Sequence, residues 1–136
     1  MNSILIGTVC FYYFYIFFLL FFMMKQRMKA IKNKEINGSY FKSYMGKTPE
    51  YLQVIQNHMN NQFQIPVIFF IACLFIIQQN AVTQLTVVVA IIFVISRMLH
   101  TYVHLGSNAP MKRAYSYMIG LICVGIIFLQ TFIASL

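Results

Sequence analysis

The chain has 136 residues, 60% of them hydrophobic and 17% aromatic, with no tryptophan, ten lysines and arginines, two acids and a net charge of +8. A soluble domain has roughly a quarter of its residues charged, whereas here the share is 9%, which excludes an ordinary soluble fold and points to an integral membrane protein. The positive charge is accounted for by membrane topology and by attraction to anionic lipid headgroups, so no nucleic-acid partner is expected.

The first predicted element runs from Ile4 to Met24, close to the 20 or so apolar residues that span a bilayer. No basic residue precedes it and no small-residue cleavage site follows, so it reads as a retained helix and not a signal peptide. A basic segment comes next, with Lys25, Arg27, Lys29, Lys32, Lys34, Lys42 and Lys47. It begins as a helical extension, turns at Asn37-Gly38-Ser39 and breaks at Thr48-Pro49, where Thr48 is placed to cap the second helix and Pro49 to open it.

The second helix, Tyr51 to Ile77, starts polar and ends apolar. At 100° per residue Gln53, Asn57, Asn60, Asn61 and Gln64 fall within an arc of roughly 100°. Amides at membrane depth serve either as interhelical glue, worth on the order of 0.6 kcal/mol each, or as the wall of a polar pocket; five on one stripe favour the pocket. Pro66 removes the backbone bond to Gln62 and predicts a kink beside that stripe.

The third helix, Val82 to His104, carries Arg97, His100, Thr101 and His104 on one face. The fourth, Tyr115 to Ala134, continues from a turn holding Lys112 and Arg113, and Arg113, Tyr117 and Gly120 repeat the same spacing. A pocket walled by the second, third and fourth helices would be cationic and amide-rich at its mouth and apolar deeper in, suited to an anionic or amphipathic ligand. His100 and His104 also have the i, i+4 spacing of a metal-binding pair, but no acid or cysteine stands near and Arg97 repels a cation, so no metal is expected. Arg97 has a second reading as a snorkelling residue. Cys10, Cys73 and Cys123 lie within apolar spans and read as buried, reduced thiols.

The expectation is therefore an all-α, multi-pass four-helix membrane bundle forming a single domain over residues 1–136. Its helices fall at about 3–30, 50–78, 82–105 and 112–135. The lysine and arginine bias places both termini outside and both basic loops in the cytoplasm.

Asn61-Gln62-Phe63-Gln64-Ile65-Pro66, together with Arg97-x-x-His100-x-x-x-His104 and the following Ala109-Pro110 and Arg113, resembles the MAPEG family, the membrane-associated proteins of eicosanoid and glutathione metabolism. The resemblance spans nearly the whole chain and is of a bacterial type, which implies a bacterial inner membrane. It implies a homotrimer with glutathione as cofactor, bound between subunits, and glutathione transferase or peroxidase activity on a lipophilic small molecule. The family's arginine, asparagine and glutamate that hold the peptide fall on Asn57, Asn61 and Gln64, so only Asn61 is kept. A family tyrosine falls on His104, and the arginine that activates the thiol falls on Arg113, or on Lys112 with a one-residue shift. Catalysis is thus assigned to Arg113, and substrate binding to Asn57, Asn61, Gln64, Arg97, His100, His104, Lys112 and Tyr117. The loss of both charges at Asn57 and Gln64 supports an alternative, a non-catalytic lipid-binding or scaffold protein. A transporter ranks below both, because the helices show neither repeats nor broken pairs.

Overall fold

A computed structural model describes residues 1–44 and 46–136; of Ser43 it describes the backbone alone, and Met45, in the expected cytoplasmic loop, lies outside the described residues. Among the described residues six helices follow in order: α1 (Asn2–Lys32), α2 (Tyr40–Ser43), α3 (Glu50–Gln62), α4 (Ile65–Gln78), α5 (Gln84–Leu105) and α6 (Pro110–Ala134). There is no strand among the described residues. α1, the α3–α4 pair, α5 and α6 are each long and apolar enough to cross a membrane. The chain is a helical membrane bundle.

At 1.5 Å per residue the 31 residues of α1 reach about 46 Å, beyond the ~30 Å hydrocarbon core, so its basic last turns project past the bilayer. One stripe of α1 is buried, Leu5, Tyr12, Ile16, Leu19, Met23 and Ala30, while Phe11, Phe14, Phe18 and Phe21 face outward. That outward face is as apolar as the inner one, as suits a helix that lipid and not water covers.

The second membrane helix is interrupted, which goes further than the expected kink. α3 ends at Gln62 and α4 begins at Ile65, with Pro66 in its first turn. A proline ring there disfavours helical backbone in the residue before it, and short bonds from Phe63 N to Asn60 O and from Val67 N to Gln64 O replace the regular ladder. The buried face of α3 is Leu52, Ile55, His58, Met59 and Gln62, and that of α4 is Ile65, Pro66, Phe69, Ala72, Cys73 and Ile76. Two expectations are corrected here. Thr48 does not cap α3, since Pro49 occupies the N-cap position without a side-chain cap bond, and Cys10 is exposed, whereas Cys73 and Cys123 are buried.

α5 opens on a reciprocal cap, with Thr83 Oγ1 accepting from Thr86 N and Thr86 Oγ1 accepting from Thr83 N. α6 opens on Pro110, whose missing N–H costs nothing at a helix start. α5 and α6 run close together at Gly120, where an added Cβ would lie 3.3 Å from Ser96 Oγ and 3.5 Å from Arg97 Cδ. The core is an aromatic hub. Phe69 of α4 stacks on Phe93 of α5 with centroids 4.0 Å apart, and the Tyr12 ring of α1 meets both edge-on.

Candidate functional site

Polar side chains fill the bundle on the basic-loop side of that hub. The Tyr12 hydroxyl oxygen lies 2.8 Å from the Gln62 carboxamide, so the hub residue is also the floor of the polar layer. Gln62 Nε2 lies 3.1 Å from His58 Nε2, His58 Nδ1 lies 3.3 Å from His104 Nδ1, and Arg113 Nη1 donates to His104 Nε2 at 2.9 Å. His100 Nδ1 sits 3.2 Å from both the Arg113 carbonyl oxygen and Ser116 Oγ. Four helices therefore contribute, and the regular spacings do the positioning. His58 and Gln62 are one turn apart on α3, and Arg97, His100, Thr101 and His104 form one face of α5. All of these are buried.

Arg97 dominates the electrostatics. It is 0% exposed, its guanidinium carbon sits 5.5 Å from the Tyr117 ring centroid, and none of its three guanidinium nitrogens has a hydrogen-bond partner within the chain. Arg113 Nε and His100 Nε2 are likewise buried and without a partner. A cation–π contact is worth about 2 kcal/mol when desolvated, too little to offset burying a guanidinium with five unsatisfied N–H donors. The interior holds donors in excess of acceptors. An incoming acceptor, ideally an anion, would satisfy them.

Two cavities lie on the side of the basic loops, and the first of them reaches the layer at His104. One of about 430 Å³ is lined by Phe22, Glu50, Tyr51, His104, Ser107 and Asn108, so His104 joins the buried layer to a mouth that carries a carboxylate. The other, about 440 Å³, is lined by Arg27, Tyr40, Tyr44, Gln53, Asn57 and Asn60, with the Arg27 guanidinium 5.0 Å from the Phe41 ring centroid and its Nε buried without a partner.

The expected site residues divide into two groups. Arg97, His100 and His104 meet Arg113, with Tyr117 half-buried beneath Arg97. Asn57 and Gln64 are exposed, Asn61 is half-buried, and Lys112 is exposed. The pocket expected from the second, third and fourth helices is not walled by the amide stripe. The physical reason is phase: the apolar side chains Leu52, Ile55 and Met59 take the inner face of α3, and the stripe turns away from α5 and α6, with Gln53, Asn57 and Asn60 bordering the cavity beside Arg27.

His58, Gln62, Tyr12, Arg27 and Glu50 were not among the residues expected at the site. For His58 and Gln62 the signal was present, because their one-turn spacing shares the phase of the apolar side of α3. Tyr12 has the seven-residue and four-residue spacing to Leu5 and Ile16 that marks the buried stripe of α1. Nothing in the sequence pairs Arg27 or Glu50 with a cavity, since both depend on how α1, α2 and α3 converge.

The family model for MAPEG proteins matches residues 5–133. The chain belongs to the MAPEG family. Neither the curated proteins nor the solved structures contain a match. Family membership identifies the four apolar helices as the membrane domain of a MAPEG protein. The buried cationic layer is then the interior of a MAPEG membrane domain.

Proposed function

We propose that this MAPEG protein is a homotrimer that binds a glutathione-type anionic thiol peptide between subunits and uses it as a transferase or peroxidase on a lipophilic electrophile from the bilayer. The observation that carries this reading is the acceptor deficit around Arg97 and Arg113. A peptide with two carboxylates and a thiolate supplies the missing acceptors. Arg97, Arg113 and Arg27 fit its anionic groups, Asn61 and Asn57 offer amide contacts to its backbone, and Glu50 offers a carboxylate for its ammonium. When bound, glutathione supplies the thiol. Arg113 holds that sulfur as the thiolate, the nucleophilic form, and His104 fixes the guanidinium from behind.

The exposed amides of α3 support a neighbouring subunit, since polar groups on a membrane helix need partners that lipid tails cannot give. An apolar groove of about 470 Å³ between α1 and α4, lined by residues including Val9, Phe14, Phe70 and Leu74, suits a lipid chain or lipophilic substrate.

A second reading has specific support. Asn57 and Gln64 are neutral where the resemblance implies arginine and glutamate, which favours a non-catalytic lipid-binding or scaffold role. Calorimetric titration of glutathione into detergent-purified protein separates the two. Charge-assisted bonds are worth about 1.5–3 kcal/mol each, so Asn57→Arg with Gln64→Glu should tighten binding at least tenfold over the parent, even after discounting for geometry. A double variant that binds no better would leave the scaffold reading in the lead. In the tightened variant, Arg113→Ala should lower turnover more than binding.

A further inference from the structure

The three histidines of the chain, His58, His100 and His104, all lie in the buried layer, with ring nitrogens within 4.8 Å of one another. Two chemistries place imidazoles this close. A metal ion at about 2.0–2.1 Å from each nitrogen sets its ligands about 3.3 Å apart, which is the His58 Nδ1 to His104 Nδ1 separation. A hydrogen bond from one neutral ring to the other gives a similar distance. Arg113 decides between them.

A guanidinium only donates, and Arg113 Nη1 is 2.9 Å from His104 Nε2, so that nitrogen must be a bare acceptor. The single proton of the neutral ring is then on Nδ1. A metal on His104 Nδ1 would force the proton onto Nε2 and set two donors face to face across 2.9 Å. The hydrogen-bond alternative has no such clash at His104, and needs one adjustment, at Gln62. His104 Nδ1–H donates to His58 Nδ1, and His58 therefore carries its own proton on Nε2 and donates it toward Gln62. Gln62 must present its oxygen there, which a half-turn of the carboxamide achieves without any change of shape, and its N–H₂ then donates to the Tyr12 oxygen. His100 stands apart with Nδ1–H donated to the Arg113 carbonyl, and its Nε2 has no partner.

We infer that Arg113, His104, His58, Gln62 and Tyr12 form a one-way hydrogen-bond chain crossing α6, α5, α3 and α1, which locks His104 as its Nδ1–H tautomer and makes His58 and Gln62 positioning residues for the Arg113 guanidinium. Where the resemblance implies a tyrosine, His104 has two opposed ring nitrogens, one to hold Arg113 and one to be held by His58. Only the consequence for thiol activation rests on the function proposed above; the tautomers do not.

The test is ¹⁵N NMR of the ligand-free protein, histidine-labelled, in detergent, where three histidines give a spectrum simple enough to assign with single His→Gln variants. The chain predicts His104 protonated at Nδ1 and bare at Nε2, and His58 the reverse. Arg113→Ala should shift His104 toward the Nε2–H form that free imidazole prefers, and Arg113→Lys, still a donor, should restore the Nδ1–H form. A wild-type His104 protonated at Nε2 would overturn the inference without any variant needing to fold. So would bare Nδ1 atoms on both His58 and His104 together with one equivalent of zinc per chain by elemental analysis, which would make the cluster a metal centre. Glutathione titration of the same sample reports on the functional reading separately, because the tautomers are read with no thiol present.

Discussion

A buried arginine whose nitrogens find no acceptor within the chain is a cost to folding. Arg97 lies over the Tyr117 ring and its guanidinium nitrogens have no hydrogen-bond partner within the chain, so its desolvation is only partly offset there. Replacing buried charge with an apolar side chain of similar length is commonly neutral or stabilising by about 1–4 kcal/mol. Arg97→Met should accordingly leave the thermal midpoint of the glutathione-free protein unchanged or raise it, while weakening glutathione binding. A marked fall in the midpoint would show that Arg97 is already paired by a group outside the chain. At the same scale, the sequence correctly joined Arg97, His100, Thr101 and His104, because one face of one helix is a local property. It missed His58, whose partner His104 lies 46 residues away, because that encounter depends on how α3 packs against α5.

The elements are held at their ends by particular residues. Gly106 closes α5, and an added Cβ there would come within 2.7 Å of the Tyr102 carbonyl oxygen, a backbone atom that cannot move aside. Gly106→Ala should therefore destabilise the α5–α6 turn by about 0.5–3 kcal/mol, read as a lower thermal midpoint in detergent, whereas Gly125→Ala, with open space around it, should not. Thr83→Ala removes the cap of α5 and its contact with Gln130, and should cost about 1 kcal/mol by the same measurement. Four membrane-length helices were legible from apolar run length alone, because a bilayer imposes that length on any helix that crosses it. The proline was legible as a disturbance, but its size was not. A single ring predicts a lost bond at Gln62, while the full break also depends on Phe63 and Gln64 leaving helical geometry between two differently phased faces.

At the scale of the whole molecule, the chain turns apolar side chains outward nearly all along α1 and amides outward along α3. Lipid satisfies the first surface and cannot satisfy the second. The lysine and arginine bias predicts both basic loops on the cytoplasmic side, so a cysteine placed at Asn2 should react with an impermeant reagent on intact cells, and one at Lys34 only after permeabilisation. The reverse pattern would invert the topology and place the cationic mouth outside. In the function proposed above, the stripe of Gln53, Asn57, Asn60, Asn61 and Gln64 is covered by a second copy of the chain, with the buried cations completing a shared site. Native mass spectrometry from mild detergent, with glutathione added, tests that most directly. Three copies of the chain with glutathione retained on the trimer is the predicted spectrum, and a monomer that holds no glutathione would contradict it.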